Sequence, residues 1–126
     1  TDLHDGKALR ALRGATTARS DDAAEIAVVT QELLAEMFER NSISRSEVVS
    51  IIFTATPDLT AEFPAAAARS AGISDVPLLC AQEMAVPGAV ERCIRVLMHL
   101  YTAAAPETLK HVYLRDARQL RTDLPE

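Results

Sequence analysis

The stretch "ERCIRVLMHLYTA" (residues 91–103) decides the fold, and it fits two periodicities at once. Val90, Cys93, Ile94, Leu97, Met98 and Tyr101 recur at helical spacing. Ile94, Val96, Met98 and Leu100 alternate as a strand would, against Cys93, Arg95, Leu97 and His99 on the other face. As a helix, the segment lets Arg95 pair with Glu91 one turn away. As a strand, it sets a guanidinium between Cys93 and Leu97 and demands another anion, because charge left unpartnered in an apolar layer is expensive. Periodicity alone leaves both readings open.

On either side the signals are clearer. Residues 8–17 read as a strand, with Leu9, Ala11 and Leu12 buried and Arg10 and Arg13 threaded through them. Gly14 follows Arg13 and allows close backbone packing. Ser20 or Asp21 can cap the next element, and Asp21, Asp22 and Glu25 suit a helix N-terminus. Ile26, Val29, Leu33, Met37 and Phe38 then mark one apolar face of a helix over about 22–40, with Asn41 as its stop. "SRSE" (44–47) fits a capping box. "VVSIIFTAT" (48–56) is β-branched and continuous, as a well-buried strand is. "PDLTAEFPAAAARSAG" (57–72) is a loop leading into a short helix between Pro64 and Gly72. "VPLLCA" (76–81) is a further strand and "VPG" (86–88) a turn. "LKHVYLRDARQL" (109–120) opens as a strand with Val112 and Leu114 in opposite phase to Tyr113. The order predicts an α+β fold, a five-stranded mixed sheet with one long helix and a short one. One long helix cannot cover both faces of such a sheet, so oligomerisation is the natural cover for the other.

The 126 residues amount to a single domain, with "TDLHDGK" (1–7) read as a loose leader or tag remnant. Nothing resembles a signal peptide or approaches the ~20 apolar residues of a bilayer span. A net charge of −5 argues against nucleic acid as a main partner. Of the 13 basic residues 11 are Arg, which meets carboxylates with a planar fork. A GC-rich genome would raise both Arg and Ala, but it does not place arginines in apolar strands. Cys80 and Cys93 suggest neither a zinc site nor a disulfide framework, which predicts a cytoplasmic protein with reduced thiols. His4, His99 and His111 make no metal-ligand pattern.

Familiar catalytic sets are missing from the pattern. No Ser–His–Asp or Cys–His pair follows from spacing, and the four glycines form no phosphate loop. What stands out is polarity inside apolar strands, at Arg13, Arg95 and Tyr113, together with the carboxylate Glu83 just after "VPLLCA". Together they hint at a pocket for a small di-anion.

"RGATT", "TATPDLTAEFPAAAAR", "CAQEM", "CIRVLM" and "HVYLRDARQLRTDL" occur in that order, and with their spacing the chain closely resembles the monofunctional, trimeric chorismate mutases of the non-helical type. The resemblance covers about residues 8–124. It implies that 91–103 is a strand, that three sheets face one another in a pseudo α/β barrel, and that a site lies in each subunit interface of a homotrimer. It implies conversion of chorismate to prephenate, on the branch to phenylalanine and tyrosine, with no metal or cofactor. The reaction is an intramolecular Claisen rearrangement: one C–O bond breaks as one C–C bond forms. No proton moves and no nucleophile is needed. The protein must hold a flexible di-anion in its reactive shape and favour the charge that builds on the ether oxygen.

The resemblance also assigns positions. Arg95 matches the donor to the ether oxygen, Arg13 the grip on a substrate carboxylate and Tyr113 a hydrogen-bond partner of a carboxylate. Glu83 and the backbone of Cys80 match the pair that holds the ring hydroxyl, with Ala81 and Gln82 between them at the same site. Phe63, Ala65, Leu78 and Leu120 match apolar walls, and Arg69 and Arg121 match positive positions near the mouth that attract the substrate. Ala66 stands where relatives can carry a lysine, and Leu79 where a threonine is common; backbone contacts at Leu79 survive that change. The alternatives are a non-catalytic metabolite-binding module on the same trimeric fold and a member of the similar imine deaminase group, which lacks the combined "CAQEM" and "CIRVLM" blocks.

Overall fold

A computed structural model describes residues 6–121. Most of the 1–7 leader and the end of the tail "RTDLPE" lie outside the described residues. In chain order the elements are β1 (Ala8–Thr17), α1 (Ala23–Arg40), β2 (Val48–Ala55), α2 (Pro64–Ser70), β3 (Leu78–Gln82), β4 (Cys93–Thr102) and β5 (Val112–Tyr113), with 3-10 turns at Arg45–Glu47, Pro106–Thr108 and Arg115–Leu120. The sheet runs β3-β2-β4-β1-β5. β4 is its centre, antiparallel to β1 and β2, while β3 and β5 run parallel to β2 and β1. The mixed five-stranded sheet of the α+β expectation is therefore present.

The ambiguous stretch is that central strand. β1 pairs with it from Ala8↔Thr102 to Thr17↔Cys93 and β2 from Val48↔Leu100 to Ala55↔Ile94. Tertiary pairing on both edges overrides a pattern that a helix would also satisfy. Ile94, Val96, Met98 and Leu100 point to the helix side and are buried. Arg95, Leu97 and His99 point the other way, which we call the outward face.

α1 covers the inner face with four fully buried side chains: Leu33 and Met37 pack in the core around Phe53, Ile51, Leu12 and Met98, and Ile26 and Val29 in a second cluster with Ala18, Leu59 and Ile94. Burying one such side chain contributes about 1.5–3 kcal/mol. At Gly14 of β1, an added Cβ would lie 2.5 Å from Met37 Sδ and 3.1 Å from Leu33 Cδ1. The missing side chain is what brings β1 that close to α1.

Four details differ from the sequence expectation. The cap of α1 is Asp22, which accepts from Glu25 N–H at 3.1 Å, rather than Ser20 or Asp21. Asp21 instead accepts from the backbone N–H of Thr60 and Ala61 at 2.8 and 2.9 Å, tying the loop before Phe63 to the start of α1. Leu9 and Ala11 are exposed, because they share the outward phase of β1 with Arg13; Leu12 alone of the three is buried. The strand expected to open 109–120 is only two residues long, since Arg115 adopts φ +53° and turns the chain into a 3-10 coil. Among the described residues no helix is long and apolar enough to cross a membrane.

Candidate active site

The outward face of the sheet carries a cleft of about 410 Å3, within the ~300–1,000 Å3 of small-molecule sites. Strand phase decides what lines it. Register sets Arg13 beside Leu97, Ala15 beside Arg95 and Tyr113 beside Ala15, all projecting from one face. On the other side of β4, Thr54 is Arg95's partner and Ile52 is Leu97's. Glu83 follows β3, where its N–H donates to Ala55 O at 2.9 Å and prolongs the β2–β3 ladder. The turn after β5 brings in Leu120 and Arg121.

Arg95 Nε meets Glu83 Oε2 at 3.2 Å. The Thr54 hydroxyl donates to that same oxygen. Arg95 thus finds the anion that the strand reading demanded, across two neighbouring strands rather than along its own. Three guanidinium groups, Arg13, Arg95 and Arg121, line the cleft together with the carboxylate of Glu83.

Two titratable groups border it. Arg13 N–H donates to His111 Nδ1 at 3.0 Å, locking β1 to the residue before β5. Burial, then the charges of Arg13 and Arg121, push His111 below its ordinary value, so the imidazole is neutral at neutral pH and keeps its acceptor nitrogen. Burial pushes the Cys93 thiol up, against the lowering pull of Arg95, and leaves it protonated.

A second cleft, about 380 Å3, lies along the loop from Pro57 to Pro64 and the end of β3. Phe63, Cys80, Ala81 and Gln82 line it. Its loop is held by Asp21 at Thr60 and Ala61, and by Asp58, whose Oδ2 accepts from Arg92 N–H at 2.9 Å.

The residues singled out from the sequence are thus distributed. Arg13, Glu83, Arg95, Tyr113, Leu120 and Arg121 share the first cleft, and Phe63, Cys80, Ala81 and Gln82 the second. Ala65 and Leu78 turn into the core, Arg69 is exposed on α2, and Leu79 is 61% exposed on the outward face. Sequence reasoning missed Thr54. Its signal was slight: a hydroxyl two residues on from Ile52, in the phase that faces Arg95.

Comparison with known proteins agrees with this architecture. The family model described as Chorismate mutase type I matches residues 9–124. The chain is 48% identical over 117 residues to "Chorismate mutase AroH" of Thermus thermophilus, covering 92% of this chain and 96% of that one. It is 43% identical over 117 residues to "Chorismate mutase AroH" of Bacillus subtilis (strain 168), covering 92% of each. A solved chorismate mutase from Clostridium thermocellum superposes with a TM-score of 0.86 at 48% identity, covering 87% of this chain and 98% of that one. A match over nearly the whole described sheet, its helices and the residues of both clefts means that the chain belongs to the type I chorismate mutase family.

Proposed function

We propose that the chain is a chorismate mutase, folded as a single domain, that isomerises chorismate to prephenate in aromatic amino acid biosynthesis. The observation that carries the residue assignment is the first cleft, where Arg13, Arg95 and Tyr113 project from three neighbouring strands beside the Glu83 carboxylate, a donor set suited to a substrate that bears carboxylates.

Each side chain then has a task. Arg13 and Tyr113 grip substrate carboxylate, with Arg121 adding attraction at the mouth. Glu83 accepts the hydrogen bond of the ring hydroxyl and fixes the ring. Arg95, oriented by Glu83 through Nε, offers its terminal nitrogens to the ether oxygen as the C–O bond lengthens. Holding both ends of a flexible molecule in one folded shape supplies the entropic part of the acceleration. The protonated Cys93 thiol and the neutral His111 ring have no proton to transfer in such a reaction, and none is required.

The second cleft enters through assembly. We propose a homotrimer in which the first cleft of one subunit is closed by Phe63 and its neighbours from the next. Support comes from apolar side chains left open in the single chain: Phe63, Leu79 and Met84 are 67%, 61% and 83% exposed. The reading also puts the enzyme in the cytoplasm, in keeping with two unpaired cysteines.

The test is to add purified protein to chorismate and follow loss of its ultraviolet absorbance. Accelerated loss is expected, and Arg95→Ala should lower kcat by at least two to three orders of magnitude, about 3–4 kcal/mol of barrier. Binding of prephenate without turnover of chorismate would instead make the chain a metabolite-binding module.

A further inference from the structure

Glu83 is held by a single oxygen. Arg95 Nε lies 3.2 Å from Oε2, and the Thr54 hydroxyl donates to that same atom. A hydrogen bond from Thr54 and an ion pair with Arg95 at the same oxygen hold that atom in place, and Oε1 is the oxygen turned to a ligand. Thr54 is well placed for this: it sits opposite Arg95 in the β2–β4 register and opposite Ala81 in β2–β3, and it lines the first cleft. Side chains directly opposite on neighbouring strands have Cβ atoms about 4.5–5.5 Å apart, so the Thr54 hydroxyl reaches a carboxylate that swings over both strands.

We infer that Thr54 is a positioning residue for the rearrangement. By donating to Oε2 of Glu83 it sets the direction of the carboxylate that orients Arg95 and receives the substrate hydroxyl. This rests on the roles proposed for Glu83 and Arg95. An Arg95–Glu83 pair without Thr54 retains one point of attachment, about which both side chains can pivot. A guanidinium aimed at a developing charge loses effect with misalignment, so the penalty falls on turnover more than on binding.

The experiment compares Thr54→Val, which keeps the branched shape and deletes the donor, with Thr54→Ser, which keeps the donor. Each is made in the natural background and in Glu83→Gln. Thr54→Val should lower kcat about tenfold or more with a smaller change in KM, as loss of a charge-assisted hydrogen bond implies. Thr54→Ser should recover most of that loss. In the Glu83→Gln background, Thr54→Val should cost little further, because its effect runs through the carboxylate. Melting curves for each variant separate a fold defect from a site defect. Natural kcat in Thr54→Val, no recovery in Thr54→Ser, or an undiminished penalty in the Glu83→Gln background would overturn the inference while leaving the chorismate mutase reading intact. Full turnover in Glu83→Gln itself would overturn the inference and the role proposed for Glu83, again with the chorismate mutase reading intact.

Discussion

An arginine on a sheet face contributes little to folding when its partner is half open to water. Arg95 and Glu83 are 45% and 21% exposed, and pairs of that kind are worth about 0–1 kcal/mol. In the proposed mechanism the pair supplies orientation, so Arg95→Lys is informative beside Arg95→Ala. It preserves charge and loses the planar fork, and should restore only a small part of kcat while melting like the natural protein. A second residue-scale prediction concerns His111. Its folded-state value is depressed below the ordinary 6.5 by burial and by Arg13 and Arg121, so the unfolded chain takes up the proton first. The associated stability is fully present above pH 6.5 and is lost as pH falls below it toward the depressed value, where the imidazolium can no longer accept from Arg13 N–H. Denaturant titrations of natural protein and His111→Phe, above and below that pH, should show the natural protein's advantage shrinking on acidification; an advantage that grew would contradict it. Much of the cleft was legible residue by residue, since Arg13, Arg95 and Tyr113 interrupt apolar strands. Thr54 was not, because a threonine in a β-branched run is what a strand favours anyway.

Among the elements, β4 was the hardest to read. Its sequence satisfies helical spacing and strand alternation together, and only pairing along both edges separates them, which no local pattern contains. α1 was read nearly to its ends, because an amphipathic helix carries its period within itself. β5 was overextended, since the positive φ at Arg115 has no marker in an ordinary arginine. The contact between β1 and α1 was half legible: Gly14 announced a close approach without saying to what. The contact is Met37, whose Sδ stands 2.5 Å from where a Cβ would be. Gly14→Ala should therefore destabilise by about 1–2 kcal/mol, at the low end for overpacking because a thioether can move aside. Thermal melts check this, and shortening the neighbour with Met37→Val should make the Gly14→Ala step nearly neutral. A Gly14→Ala penalty unchanged in the Met37→Val background would place the strain elsewhere.

At the scale of the whole molecule, the two clefts of one chain bear on the proposed assembly. The first is lined by Arg13, Arg95 and Arg121; the second holds Phe63, open to solvent, and has no cationic side chain among its described lining residues. Each is half of a site if copies pack so that one subunit's outward face meets the next subunit's Phe63 loop. A closed ring of three such heterologous contacts leaves no face unpaired. The proposal can be tested by mixing. Arg95→Ala spoils the first half, and Phe63→Asp spoils the second by placing a carboxylate against an anionic substrate. Each variant alone should be nearly inactive and still assemble. Unfolded together in equal amounts and refolded, they should give particles in which an intact first half meets an intact second half at about a quarter of the interfaces, from random assembly into rings. Activity should then rise to about a quarter of the natural level, while the two variants refolded separately and combined afterwards stay inactive. Sites built within one chain would gain nothing from mixed assembly, because every chain in the mixture carries a lesion.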